Sequence, residues 1–347
     1  MRKTLLGNEP GAIGYCNFEG VKRDIRRREG SVAAKERLSH SESYVLQFDA
    51  VSHRERKTQK NAVGNFTREC FEVTYPGGSL HLGKRTYVMG ILNATPDSFY
   101  DGMQCVTPKH ALDRAIKMAE DGADIIDIGG ESTRPGAHPV SAEEELKRVI
   151  PVIKALSKEI KIPLSIDTYK AKVAEKAIDA GVSIINDIGG LIDDRKMAKI
   201  AAGAGVPVVI MHKKGTPRTM QKYPLRKNVA AEVMLQLRKS VSFAIEAGID
   251  ESRIILDPGI GFGKTVQQNL EILKRLAEFK SIGFPLLIGT SRKNFIGAVL
   301  DLPVQERLHG TMATVAVASM NGAHIVRVHD VREAVQVVTV CDAIRNS

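Results

Sequence analysis

Between residues 86 and 330, amide and ionisable side chains recur where short apolar runs end. Asn93 closes TYVMGILN, Asp127 lies in ADIIDIGGE, Asp167 in IPLSIDT, and Asn186 with Asp187 in VSIINDI. His212 closes VPVVIMH, Asp257 follows RIIL, Ser291 closes PLLIGTS with Lys293 behind it, and Arg327 and His329 sit in HIVRVHD. Any one of these acids could simply cap the next helix; it is the set that points to a ligand. Buried polar groups are costly unless paired, so a ring of acids, amides and cations should bind a molecule of matching pattern. Asp167, Asn186 and Asp257 are acceptors suited to the donor-rich edge of a heterocycle. Arg327, His329 and the loop carrying Arg134 suit an anionic group such as phosphate. Asp127 and His212 are expected to pack within the same mouth and orient their neighbours, and Asp330 to cap the last helix.

DPGIGFGKT at 257–265 resembles a phosphate loop only superficially, because the Walker pattern requires glycine where Pro258 stands. Its glycines instead allow close approach of backbone to a flat ligand, with Phe262 covering one face.

The elements that must hold these residues follow from pattern. Near-continuous Val/Ile/Leu runs of this length suit strands buried on both faces, as in a parallel sheet. Each is followed by a segment of helical period. Thr107-Pro108 offers an N-cap and a proline at N1 for a helix to Glu120, closed by Gly122. Ser141 with Glu144 forms a capping box before LKRVIPVIKAL, a helix that Pro151 should kink or divide. Further amphipathic stretches cover roughly 170–180, 194–203, 228–247, 267–280, 305–321 and 331–344. Eight strands alternating with eight helices indicate a (β/α)8 TIM barrel, whose sites assemble at the C-terminal strand ends. An open doubly wound sheet would place a G-x-G-x-x-G after its first strand, and none is there. Ahead of the barrel, FEVTYPGGSLHLG reads as a β-hairpin turning at Pro76-Gly77-Gly78, placed to plug the barrel bottom.

The domain reading is therefore an N-terminal extension over residues 1–70, of weak periodicity, and a barrel over 71–347. Of the +10 formal charge, 16 Lys/Arg face 10 Asp/Glu within residues 1–85, against 34 and 30 afterwards. VKRDIRRREG lacks interleaved aromatics and sits among acids, so a solvated extension is favoured over nucleic-acid binding. No apolar stretch approaches the roughly 18 residues of a membrane helix, and the start lacks a secretory signal's apolar run. A cytoplasmic protein is expected. Cys16, Cys70, Cys105 and Cys341 show neither ligand nor disulfide spacing. By the same token, the glycosylation patterns at 65–67 and 93–95 are chance matches.

MGILNATPDSFYDG, DIGGESTRPGA, SIDT, IINDIGG, DPGIGFGK, GTSRK and RVHDV, in that order, resemble the dihydropteroate synthase family over about residues 72–345. MHKKGTPRTMQ at 211–221 is similar to that family's loop after the fifth barrel strand. The resemblance implies a transferase joining 4-aminobenzoate to 6-hydroxymethyl-7,8-dihydropterin diphosphate, giving 7,8-dihydropteroate and diphosphate in folate biosynthesis. It implies pterin contacts from Asp167, Asn186, Met211, Asp257, Phe262 and Lys293. It assigns Asn93 to Mg2+, and Arg327, His329 and Thr133 to the leaving diphosphate. Two loops are implied in catalysis, one with Asp97, Ser98 and Asp101, the other with Ser132, Thr133, Arg134 and Pro135, which also shape the aminobenzoate pocket. Asn294 is implied near the aminobenzoate carboxylate, and a homodimer through the last helices is a family expectation.

Tyr100, Met103, Gln104 and Asn294 depart from the family's usual residues, and put the shape of the first loop and the carboxylate contact in question. A methyl-transferring pterin barrel would share the pterin acids but not ESTRPG, SRK and RVHD together. A catalytically silent barrel with a partner-binding N-terminus would be indifferent to the strand-end residues.

Overall fold

The computed structural model describes residues 68–95, 107–132, 137–215 and 228–347. Gly77, at φ 99°, supplies the left-handed turn that folds Phe71–Tyr75 (β1) back on Gly78–Leu82 (β2). Alternation then sends Val73, Leu80 and Leu82 to one buried face.

The eight apolar runs are parallel strands: β3 (Tyr87–Asn93), β4 (Ile125–Gly129), β5 (Leu164–Asp167), β6 (Ile184–Asp187), β7 (Val208–Met211), β8 (Ile254–Asp257), β9 (Leu287–Gly289) and β10 (Ile325–Val328). They pair in the order β8-β7-β6-β5-β4-β3-β10-β9. The circle closes between β8 and β9 by one bridge, Leu256 with Leu286, where Leu256 N–H donates to the Pro285 carbonyl at 2.9 Å. The expected (β/α)8 barrel is thus observed. Val73, Leu80 and Leu82 of the hairpin pack on Met89, Ile125, Ile184, Val209, Ile255, Leu287 and Ile325, near the strand starts, and close that end as expected.

The helices among the described residues are α1 (Pro108–Glu120), α2 (Ala142–Glu159), α3 (Ala171–Asp179), α4 (Lys196–Ala204), α5 (Val229–Glu246), α6 (Val266–Lys274), α7 (Asn294–Leu300), α8 (Leu308–Met320) and α9 (Val331–Asn346). Thr107 caps α1 as read, accepting from His110 N–H. Ser141 caps α2, but Glu144 bonds Arg148 rather than completing the box. Pro151 does not divide α2: it lies on the exposed face, as does Lys147, whose carbonyl it deprives of a helical donor, while Val149, Val152, Ile153 and Leu156 anchor both sides. The stretch expected over 267–280 is two pieces, α6 and a 3-10 turn at Leu276–Ile282. The segment before α8 folds separately as α7, so two helices follow β9.

Arg68 ties the segment before the hairpin to the barrel. Its Nη2 donates to Thr86 Oγ1 and to the Ser319 carbonyl, both at 2.9 Å, beside Asp342, which accepts from Thr86 N–H and Oγ1–H. Buried His324 accepts from Leu286 N–H at 3.0 Å and meets the Glu69 carbonyl at 3.1 Å. Cys70 is exposed and Cys341 buried, both as free thiols; Cys16 and Cys105 lie outside the described residues.

Candidate active site

Register brings the strand-end residues together. Asn93, Gly129, Asp167 and Asn186 stand in one row across β3, β4, β5 and β6. Across the barrel, Met211 is opposite Asp257, and Arg327 pairs in register with Gly289 and Met89. Gly129 leaves an opening in the row: a Cβ there would meet Asp167 Oδ2 at 3.7 Å and Asn93 Oδ1 at 3.9 Å.

Arg327 organises the centre. Its Nε donates to Asp127 Oδ2 and its Nη2 to Asp167 Oδ2, each at 2.6 Å, and Asn186 Nδ2 donates to the same Asp127 oxygen at 2.9 Å. Asp127 therefore orients two neighbours, as expected of it. Because Asn186 directs its amide N–H inward, its carbonyl oxygen remains as the acceptor. Asp127 Oδ1 and Asp167 Oδ1 are buried with no hydrogen-bond partner among the described residues. Burial is the strongest influence on Asp167 and raises its carboxyl, with Arg327 opposing and Asp127 and Glu145 adding to the rise.

Asp257 lies at the end of β8 with Oδ1 accepting from Gly259 N–H at 2.7 Å. Burial raises its carboxyl too, against the pull of Lys293. Lys293 reaches over from the β9 exit, donates to the Ile260 carbonyl and stands 4.7 Å from the centre of the Phe262 ring. Burial of its tip lowers the ammonium to about 8, which Asp257 resists. An acceptor, a cation and a half-buried aromatic ring thus sit around one loop. His329 and Ser291 pair at 2.8 Å, and His329 N–H donates to Ser291 Oγ at 3.1 Å.

Asn93, Asp167, Asn186, Met211, Asp257, Phe262, Lys293, Arg327 and His329 therefore all lie at the C-terminal ends of the strands or on the loops leaving them. Asn294 is exposed at the start of α7, with Oδ1 accepting from Arg307, and stands apart from the buried row. Asp330 stands at the N-cap of α9 as expected, but its carboxylate makes no capping hydrogen bond and instead accepts from Arg292 Nε and Nη2 at 2.8 and 2.7 Å. Asp97, Ser98, Asp101, Thr133, Arg134 and Pro135, with Tyr100, Met103 and Gln104, lie outside the described residues.

Sequence reasoning passed over two sets. Lys264 is buried against His212, and its only signal was the lysine of a failed Walker pattern. Lys170 sits between Glu131 and Glu145, with Tyr169 O–H also donating to Glu131 at 3.0 Å. This group ties the start of the segment after β4 to α2 and α3, and Glu131 Oε2 accepts from Val140 N–H at 3.3 Å. Nothing in local spacing joins residues 131, 145 and 170.

Residues 89–329 match the family described as "Pterin binding enzyme". The chain is similar to dihydropteroate synthase of Bacillus subtilis, 51% identical over 268 residues, covering 77% of this chain and 92% of that protein. Among solved structures, dihydropteroate synthase of Yersinia pestis in a sulfonamide drug complex aligns with TM-score 0.77 at 42% identity, covering 80% of this chain and all of that one. That of Xanthomonas albilineans with 4-aminobenzoic acid aligns with TM-score 0.75 at 41% identity, with coverage of 80% and 100%.

Proposed function

The chain belongs to the pterin-binding enzymes, as one of the dihydropteroate synthases, and from that membership we propose how its residues divide the work. The reaction transfers the pterin-methyl group of 6-hydroxymethyl-7,8-dihydropterin diphosphate to the nitrogen of 4-aminobenzoate. The observation that carries the assignment is the set of acceptors at one mouth: Asp257 beside Lys293, and the open carboxylate oxygen of Asp167 beside Asn186. A pterin presents amino and ring N–H groups next to a carbonyl, so Asp257 takes the donors and Lys293 the carbonyl. Phe262 and Met211 cover the ring faces. Sites built on buried polar pairs reject analogues lacking them by roughly four to five powers of ten.

Arg327, with two nitrogens fixed by Asp127 and Asp167, presents its charge to the diphosphate, with His329 and Thr133 alongside. The C–O bond breaks first, its electron pair leaving with diphosphate, and the pterin stabilises the cation. The arylamine lone pair then forms the C–N bond, and its proton passes to water or diphosphate, so no strong base is needed. Asp97, Ser98, Asp101, Arg134 and Pro135 complete the site, with Asn294 toward the aminobenzoate carboxylate.

Asn93 Oδ1 beside the Gly129 opening fits Mg2+. Among the described residues no cluster of three or more His, Cys, Asp or Glu could hold a metal alone. One amide oxygen suits an ion that keeps several waters and takes substrate phosphates as its other ligands. When bound, Mg2+ would neutralise charge on the diphosphate. Cytoplasmic residence and a homodimer complete the reading. The dimer is supported by Val317 on α8 and Val340 and Ile344 on α9, which are 44, 59 and 57% exposed.

The direct test mixes purified protein with the pterin diphosphate, 4-aminobenzoate and magnesium and looks for dihydropteroate; absence of product would sink the reading. Arg327→Ala should slow turnover more than it weakens binding of a pterin lacking diphosphate, and equal losses would argue against a leaving-group role. Asn93→Ala should raise the magnesium concentration needed for half-maximal rate, and an unchanged metal titration would remove Asn93 from the ion.

A further inference from the structure

Lys264 is the one residue of GIGFGKT that neither the phosphate-loop reading nor the transfer reaction accounts for. Its ammonium is buried and its three donors meet three acceptors: the Gly259 carbonyl at 2.7 Å, the Phe262 carbonyl at 3.1 Å and His212 Nδ1 at 3.0 Å. For Nδ1 to accept, His212 must be neutral with its proton on Nε2. Burial, with Lys264 and Lys214 nearby, pushes that imidazole down to about 2 and keeps it so.

Apart from the bond of Phe262 N–H to the Gly259 carbonyl at 3.2 Å, the other anchors come from side chains outside the loop. Gly259 N–H is held by Asp257, Gly261 N–H by Asn269 Oδ1 at 2.7 Å, and the Ile260 carbonyl by Lys293. The loop also presses on the exit of β7: a Cβ at Gly259 would overlap the His212 carbonyl oxygen, and one at Gly263 would crowd the backbone of Lys214. Lys264 thus joins both ends of the 259–262 backbone to β7 while placing its charge behind Asp257, whose other cationic neighbours are Lys293 and Arg327. Burial lowers Lys264 itself to about 7, and Asp257 pulls the other way, so the two groups support each other's ionised forms.

We propose that Lys264, braced by His212, is the positioning residue of the pterin floor: it sets the backbone that carries Phe262 and maintains Asp257 as a carboxylate. This rests on the assignment of Asp257 and Phe262 to the pterin. The experiment uses the full chain, with Lys264→Met and Lys264→Gln, titrated with 6-hydroxymethylpterin by fluorescence across pH and assayed for both KM values. Lys264→Met should weaken pterin binding about tenfold or more, since hydrogen bonds from a charged group are lost. KM for the pterin diphosphate should rise in step, KM for 4-aminobenzoate far less. The acid limb of pterin affinity should move to higher pH, because a carboxylate without a cation behind it protonates more readily. Lys264→Gln can still donate to two acceptors, so its affinity loss should be smaller while its acid limb moves as far.

A folded Lys264→Met protein with unaltered pterin affinity and acid limb would overturn the proposal, as would equal rises in both KM values. If neither variant folds, the pair is a determinant of folding and the proposal also falls. Asp257→Ala is the control that separates causes: if it too leaves pterin affinity unchanged, the pterin assignment is at fault rather than Lys264.

Discussion

The two ends of the barrel both bury charge, and they leave opposite kinds of atom unsatisfied. At the mouth, the buried side-chain atoms without partners among the described residues include Asp127 Oδ1 and Asp167 Oδ1, which are acceptors. At the base they are Arg68 Nε and Nη1, which are donors, while neighbouring Arg345 Nη1 stands 2.8 Å from Asp342 Oδ1. The base is otherwise stitched to backbone: Asp342 to Thr86 N–H, Arg68 to the Ser319 carbonyl, His324 to Leu286 N–H. It is also sealed by the hairpin. The mouth has no such seal among the described residues, and its polar groups are bound mainly to one another. Charge at the base is spent on the fold, and charge at the mouth is left in the arrangement that the proposed donor-rich ligand would need.

The sharpest way to break this contrast is Asp342→Leu, which leaves Arg68 buried with its closest carboxylate gone. Loss of one partner of a buried pair costs about 3 to 5 kcal/mol. Denaturant unfolding should register that loss while kcat/KM per folded molecule is kept; a comparable fall in kcat/KM would mean the two ends are coupled. Next in size, Asp257→Ala should weaken pterin binding by about 2 to 3 kcal/mol, through unpaired ligand donors, and change stability much less. Equal effects on binding and stability would place Asp257 with the base groups.

The third test is a pH dependence, spread gradually over several pH units. Burial lowers His324 to about 3 from its ordinary value of 6.5. The unfolded chain therefore takes up the proton first, so stability is full above pH 6.5 and declines as pH falls toward about 3. The slope reaches up to about 1.4 kcal/mol per pH unit. His324→Gln should flatten thermal melting against pH across that window, and a slope identical to the parent's would assign the effect elsewhere.

How much of this was legible in sequence depended on the distance over which each signal acts. The strands were legible because each is a short run buried on both faces, and the mouth because barrel topology alone gathers strand ends. The hairpin was legible from Pro76-Gly77-Gly78. Asp330 was placed correctly at the start of the last helix, but the use of its carboxylate was not legible because its partner Arg292 lies on another loop. Pro151 was read as a kink or a division, and the continuity of the helix through it was not legible because exposure on the helix face is not visible in the Pro pattern. Lys264 was passed over for a related reason: a lysine after glycines suggests phosphate, whereas here its acceptors are two carbonyls of its own loop and a histidine 52 residues away.

The closing bridge of the barrel has one more consequence. Between β8 and β9 the sheet holds a single bridge, at Leu256 and Leu286, where the other strand pairs hold ladders. Asp257 stands on one bank of that seam and the backbone leading to Lys293 on the other. A pterin gripped by both would act as the missing rung, so the substrate is also a fastener, and amide exchange along this seam should slow when the site is filled.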